Sequence, residues 1–290
     1  MINVSNIERF ATHDGPGIRT TLFMMGCSLR CPWCANPETW TLQSVLMHDT
    51  DKCIECQACQ KACKNHAITF DPFFQWDQTK CKGCQDCVWA CLQDALKLNG
   101  QWMEVSDILD EVLKDWDYYQ ASGGGLTLSG GEPFFQFDEV FSLLKSAKKA
   151  GLHVAVETTG NVEPKLFEKA IPYVDLFLFD IKHLDHEILQ QVTYANAQRI
   201  FSNFETLCLT RSKDVIVRVP VIEGFNDQIL SDIIEYSKQH NVQKVHLLPY
   251  HSLGKTKWAQ LKRKYIYGDL EMMKEDALKQ YESDFVQIGG

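Results

Sequence analysis

The chain has 290 residues, room for one large domain or a large domain with a small companion, and its 45% hydrophobic and 23% charged composition is that of an ordinary globular protein. No apolar run reaches the about 18 residues of a membrane helix, and the stretch from Met1 to Arg9 has no basic region leading into an apolar one, so no membrane partner, no secretory leader and a cytoplasmic location are expected. A formal net charge of -9 argues against nucleic acid as the main partner, and the 12 cysteines, grouped as three, four, four and one, read as thiolate ligands in a reducing compartment and not as disulfides.

In chain order, the turn Gly15-Pro-Gly17 leads into an apolar run from Thr21 to Met25 that reads as a short buried strand. The strand delivers the chain into a loop holding Cys27, Cys31 and Cys34, spaced Cys-x3-Cys-x2-Cys with no fourth cysteine or histidine close behind. Three soft ligands suit a four-iron cluster that leaves one iron open, whereas structural zinc wants a fourth ligand.

From Asp51 to Leu98 the character changes. Cys53, Cys56, Cys59 and Cys63 follow Cys-x2-Cys-x2-Cys-x3-Cys, and Cys81, Cys84, Cys87 and Cys91 repeat that spacing 28 residues on. Residues 51–98 form a separate small domain in this reading, too poor in apolar residues to fold without metal, set between residues 1–50 and 99–290 of the larger one.

Beyond Gln101 the pattern alternates. A helix is expected over Val105 to Tyr119 with Ser106 as its cap, then a glycine-rich strand and turn over Gly123 to Pro133, a helix from Asp138 to Ala150 and a strand from Leu152 to Glu157. Further strands are expected at Val174 to Asp180, Val215 to Val221 and Lys244 to Leu248. Helices are expected at Pro164 to Ala170, His186 to Gln191, Asn196 to Cys208 and Ile229 to His240. Short apolar strands alternating with helices indicate a parallel sheet covered by helices. A full eight-stranded barrel takes about 250 residues, so roughly six strand–helix units, with the two ends of the chain unpaired, make an incomplete barrel the better fit. Cys208 stands alone in a helical pattern and reads as a packed small hydrophobe. The basic, aromatic run Lys255, Lys257, Trp258, Lys262, Arg263, Lys264, Tyr265 and Tyr267 reads either as a solvated face or as a docking surface.

Five motifs occur in one order: Asp14-Gly-Pro-Gly-Ile-Arg19, the Cys27 loop, Ser129-Gly-Gly-Glu-Pro133, Asp180-Ile-Lys182 and Leu248-Pro-Tyr-His-Ser-Leu-Gly254. Together they resemble, over essentially the whole chain, a glycyl radical enzyme activating enzyme of the radical S-adenosylmethionine superfamily. The resemblance implies an α/β fold, an incomplete (β/α)6 barrel with an inserted ferredoxin-like α+β domain. It implies that Cys27, Cys31 and Cys34 hold a [4Fe–4S] cluster whose open iron binds S-adenosylmethionine, whose reductive cleavage yields a 5'-deoxyadenosyl radical. That radical abstracts hydrogen from a backbone glycine of a partner enzyme.

By the same resemblance Ser129, Gly130, Gly131 and Glu132 meet the amino end of methionine, and Lys182 meets its carboxylate. Asp180 joins Glu157, next to Thr158, around a monovalent cation (Na+ or K+), although the family's usual residue at the place of Glu157 is aspartate. Arg218 lies near the nucleoside and carboxylate, His251 near the adenosyl group, and Asp14 and Arg19 near the entry of the partner's glycine loop. The insert resembles a two-cluster ferredoxin, with Cys53, Cys56, Cys59 and Cys91 on one [4Fe–4S] cluster and Cys81, Cys84, Cys87 and Cys63 on the other, three clusters in all. The proline usual after each fourth cysteine is missing. The insert points to a glycyl radical dehydratase, carbon–nitrogen lyase or decarboxylase as partner, with reduced flavodoxin or ferredoxin as electron donor. Whether the auxiliary clusters relay electrons or stiffen the fold stays open. The competing classes are a radical enzyme acting on a small molecule and an electron-transfer iron–sulfur protein.

Overall fold

The computed structural model describes residues 1–289. The chain opens with strands β1 (Ile2–Ala11) and β2 (Arg19–Met24). A lobe then holds β3 (Val45–His48), β4 (Ile68–Phe70), β5 (Phe74–Trp76) and β6 (Leu96–Asn99), after which β7 (Gln101–Met103) returns to the main body. The remaining strands are β8 (Gly125–Gly130), β9 (His153–Thr158), β10 (Leu176–Asp180), β11 (Val215–Val221), β12 (Lys244–Pro249) and β13 (Val286–Ile288).

One nine-stranded sheet runs in the order β13-β12-β11-β10-β9-β8-β2-β1-β7. From β13 to β2 every neighbour is parallel, and β1 pairs antiparallel with both β2 and β7. The sheet does not close, since β7 and β13 are its edges. The incomplete barrel is therefore present, and both ends of the chain are paired within it where unpaired ends were expected. Short apolar strands such as β11, buried at six of its seven positions, need cover on both faces. Helices on the crossovers supply it. Phe137–Lys149 is typical: it buries Phe137, Val140, Leu143, Leu144 and Ala147 at helical spacing and carries Asp138 and Glu139 in its first turn and Lys148 and Lys149 in its last, in favour with its dipole.

The expected helix over 105–119 is two, Val105–Leu113 and Trp116–Ser122, and Ser106 lies inside the first without capping it. The break turns Asp115 inward. Its carboxylate accepts from Arg9 Nε at 2.8 Å and from Thr20 Oγ1 at 3.0 Å, and Asp115 is 1% exposed, so tertiary bonds override the local helical pattern there.

The cysteine-rich lobe hangs on an antiparallel β3–β6 pair and has a small core of Leu46, Cys59, Ile68, Phe74 and Leu96. The sequence repeat is repeated in the backbone. Positive φ recurs at Glu55 and Gly83, at Gln57 and Gln85, and at His66 and Asp94, and the amides of Ala67 and Ala95 both approach a sulfur, Cys63 Sγ and Cys91 Sγ, at 3.3 Å.

Candidate active site

Cys27, Cys31 and Cys34 sit on the loop leaving the carboxyl end of β2, where the chain must turn sharply. Gly26 makes the turn at φ +95, and a Cβ there would meet the Phe135 ring at 2.4 Å. Three backbone bonds set the loop: Gly26 N donates to Thr39 O at 2.7 Å, Glu132 N to Gly26 O at 2.8 Å and Cys34 N to Cys31 O at 3.0 Å. Burial pushes all three thiols up, Cys31 to about 12, with the Lys182 ammonium pulling Cys31 the other way.

The glycines after β8 close against this loop. An added Cβ would lie 2.1 Å from Met24 N at Gly130, and at Gly131 2.2 Å from Gly26 O and 3.2 Å from Cys27 Cβ. Both positions are backbone surfaces with no room for a side chain. Glu132 is 1% exposed and points away from solvent: it accepts from Thr158 Oγ1 at 2.8 Å, from Thr159 N at 2.8 Å and from Thr159 Oγ1 at 2.6 Å. Burial pushes its carboxyl up while these donors pull it down. Glu132 thus ties the end of β8 to the end of β9, and its acceptor capacity is spent on protein donors rather than on an ammonium ligand.

Across the sheet Asp180 and Arg218 are register partners on β10 and β11. Lys182 Nζ lies 2.5 Å from Asp180 Oδ2, and Arg218 Nη1 lies 3.1 Å from Glu157 Oε1 and 3.7 Å from Asp14 Oδ1. Burial opposes the Lys182 ammonium, but the Asp180 carboxylate outweighs it and holds its pKa above the usual value. Ser129 Oγ donates to the other Glu157 oxygen. The Arg218–Glu157 approach lacks hydrogen-bond geometry, so buried Arg218 keeps Nε and Nη1 without an acceptor.

These pieces surround one cavity of about 240 Å3, lined by Cys27, Cys31, Cys34, Gly130, Gly131, Glu157, Asp180, Lys182 and His251, with Trp33, Trp40 and Leu248 among its apolar walls. Glu132, Thr158 and Arg218 stand behind that lining. Thr159, not singled out by sequence, is part of it; the signal was a hydroxyl following Glu157-Thr158 at a strand end.

In the lobe, Cys53, Cys56, Cys59 and Cys91 line a second cavity of about 170 Å3. Cys59 feels Cys53 and Cys91, while Cys87 feels Cys81, Cys63 and Cys84; burial first, then these neighbours, pushes Cys87 up to about 11.

A family model described as a 4Fe-4S single cluster domain matches residues 13–200. The 4-hydroxyphenylacetate decarboxylase activating enzyme of Clostridioides difficile (strain CD196) is 35% identical over 296 residues, covering 99% of this chain and 93% of its own length. The trans-4-hydroxy-L-proline dehydratase activating enzyme of Clostridioides difficile is 38% identical, covering 99% of each chain. The choline trimethylamine-lyase activating enzyme of Oleidesulfovibrio alaskensis is 36% identical, covering 90% of this chain and 87% of its own. The chain belongs to the glycyl-radical-enzyme activating enzymes of the radical S-adenosylmethionine superfamily.

Two expectations about this activating enzyme need correction. Arg19 is fully buried, donating to Thr127 Oγ1 at 2.6 Å and to Leu126 O at 2.7 Å, so it cannot meet an entering partner loop. The basic run near the C-terminus is not all surface: Lys255, Lys262 and Lys264 are exposed, but Lys257, Trp258 and Arg263 are taken up by the fold. Lys257 Nζ bonds Glu38 Oε1 and Asn36 Oδ1, both at 2.6 Å, Trp258 Nε1 donates to Cys34 O at 2.8 Å, and Arg263 donates to Pro37 O at 2.7 Å and lies 4.9 Å from the Trp40 ring centroid. It is a strap that fixes the cysteine loop from outside. Trp33, 7% exposed and 4.6 Å from Phe225, is apolar cover.

Proposed function

We propose that Cys27, Cys31 and Cys34 carry a [4Fe–4S] cluster with one iron open to S-adenosylmethionine, and that the partner is a glycyl radical enzyme of the dehydratase, carbon–nitrogen lyase or decarboxylase type. The observation that carries this is the convergence of three thiols, a two-glycine cradle and the Asp180–Lys182 pair on one cavity of about 240 Å3. Three thiols with no fourth nearby suit that cluster, and exposed backbone at Gly130 and Gly131 suits close approach of a ligand. Bound there, cluster and cofactor would supply a one-electron reductive cleavage whose adenosyl radical takes hydrogen from a glycine of the partner.

The chain's own residues bind and orient. Lys182, held charged, meets a carboxylate. Gly130 and Gly131 offer backbone to the amino end, and Glu132 holds that loop through Thr158 and Thr159. His251, exposed at the cavity mouth after β12, faces the adenosyl group. Trp33 and Trp40 exclude water. Glu157 and Asp180 each already face a protein cation, Arg218 and Lys182, so a Na+ or K+ ion would share those carboxylates with them.

In residues 51–98 we assign Cys53, Cys56, Cys59 and Cys91 to one auxiliary [4Fe–4S] cluster and Cys81, Cys84, Cys87 and Cys63 to the other. Among the described residues no three His, Cys, Asp or Glu side chains come close enough to hold a single metal ion. Thiols set around a volume suit a cluster, in which each binds a different iron. Reduced flavodoxin or ferredoxin in the cytoplasm would supply the electron. No described helix is long and apolar enough to cross a membrane.

The test is product analysis. The reconstituted, dithionite-reduced chain should convert S-adenosylmethionine to methionine and 5'-deoxyadenosine, and a variant with Cys27, Cys31 and Cys34 all changed to alanine should form none. Cleavage surviving in that variant would refute the assignment.

A further inference from the structure

His48, at the end of β3, is a buried polar side chain that the activation site does not use. It is 5% exposed, and neither Nδ1 nor Nε2 has a hydrogen-bond partner. A neutral imidazole carries one N–H donor, and leaving it unmade in the interior costs about 1–3 kcal/mol. A packed histidine normally avoids that cost, so this ring points to an acceptor supplied from outside the protein. His48 lines the cavity that also bears Cys53, Cys56, Cys59 and Cys91, and the rest of that lining offers mostly apolar side chains.

The ring is held in place. Its backbone pairs with Leu96 across the β3–β6 ladder, and its face stacks on Phe74 with centroids 4.0 Å apart and planes at 23°. Lys262, from the strap, donates to Phe74 O and stands 5.1 Å from the same ring. Gln260 Nε2 reaches Asp49 Oδ2 at 3.3 Å, next to His48. The segment that bonds Cys34 through Trp258 therefore also braces this histidine.

We propose that His48 donates a ring N–H to a sulfur of the cluster held by Cys53, Cys56, Cys59 and Cys91, and so raises the reduction potential of that cluster relative to one without the bond. The inference rests on the cluster assignment above. A hydrogen bond to sulfur favours the reduced, more negative state, which is how a residue beyond the ligands tunes an iron–sulfur centre. His48 is a positioning and tuning residue in this scheme and touches no substrate.

The experiment uses the full reconstituted chain with 15N-labelled histidine. Iron and sulfide are counted, and the reduced protein is studied by electron–nuclear double resonance and by potentiometric titration of its electron paramagnetic resonance signals. One auxiliary cluster should show a 15N coupling that vanishes in His48→Phe and His48→Gln. In His48→Phe that cluster's reduced-to-oxidised ratio at a fixed potential should fall about tenfold, which is about 59 mV for one electron, while His48→Gln, which keeps an N–H donor, should fall less. A wild-type chain with its clusters loaded but no histidine coupling overturns the inference whether or not the variants fold. So does a coupling that persists in both variants, or a His48→Phe midpoint equal to wild type. A wild-type chain that binds only about one cluster's iron defeats the auxiliary-cluster assignment itself, and the His48 inference falls with it.

Discussion

Changing Gly131 to alanine should disable the site by moving the cysteine loop. The added Cβ would stand 2.2 Å from Gly26 O and 3.2 Å from Cys27 Cβ. Gly26 O is backbone and cannot swing aside, because it accepts from Glu132 N at 2.8 Å. Relief to ordinary contact takes a shift of roughly 1 Å between the two loops, and a misplacement of that size costs a reaction about 100-fold. Overpacking of this kind also costs about 1–3 kcal/mol of stability, with the upper end expected for a clash against backbone. The assay is the initial rate of 5'-deoxyadenosine formation by the reduced, reconstituted variant, read beside iron content and a thermal melt. A fall of about two orders of magnitude with iron still bound supports the geometry. A Gly131→Ala protein with wild-type rate and melting would show that the loops part without penalty, and would refute the close packing as the reason glycine is needed.

Asp115→Asn should destabilise the fold by about 2 kcal/mol, since charge-assisted bonds from Arg9 and the hydroxyl of Thr20 converge on one buried carboxylate. The hydrogen bond from Arg9, chiefly, holds that carboxyl below its usual 3.8. Its stabilisation is therefore full above about pH 4 and lost as pH falls through the lower folded value, and acid melts of Asp115→Asn should show a shallower loss in that range. In the apoprotein burial keeps Cys31 protonated, with a pKa of about 12, and holds Cys27 and Cys34 up as well, so loading the cluster at pH 8 should release protons measurable by indicator dye. A reconstitution with no proton release would contradict buried thiols. Replacing K+ by Na+ or by a bulky organic cation should change wild-type turnover less than that of Arg218→Met, in which Glu157 loses its guanidinium neighbour. Trp258→Phe should cost about 1 kcal/mol through loss of the bond to Cys34 O, read as a lower melting temperature.

The parts of the site that are written locally were legible. Cys27, Cys31 and Cys34 share one loop, and the two cysteine quartets betray themselves by repetition, so no tertiary knowledge is needed to see them. Asp180 and Lys182 share one strand end, and alternation along the strand already places them together. What depends on distant partners was not legible. Lys257 looks like part of a solvated face until it is found on Glu38, 219 residues away in sequence. Arg19 looks like a free charge beside a glycine turn, but Thr127 and the Leu126 carbonyl satisfy it from another strand. Glu132 reads as a ligand group because a carboxylate after two glycines can accept an ammonium; the threonines that occupy it lie on the next strand end. The break at Asp115 likewise follows from Arg9 and Thr20, which no helical period can show. His48 ends an apolar strand, and nothing in its neighbours by sequence marks its unpartnered ring.

The most direct test of function is to mix the reduced chain and S-adenosylmethionine, without oxygen, with candidate glycyl radical decarboxylases, dehydratases and carbon–nitrogen lyases, and to record the electron paramagnetic resonance spectrum. A glycine-centred doublet should appear on one partner, with at least one 5'-deoxyadenosine formed per radical, and should be absent when Cys27, Cys31 and Cys34 are alanine. Deoxyadenosine formation that depends on a small metabolite, with no glycine radical on any partner, would contradict the proposal.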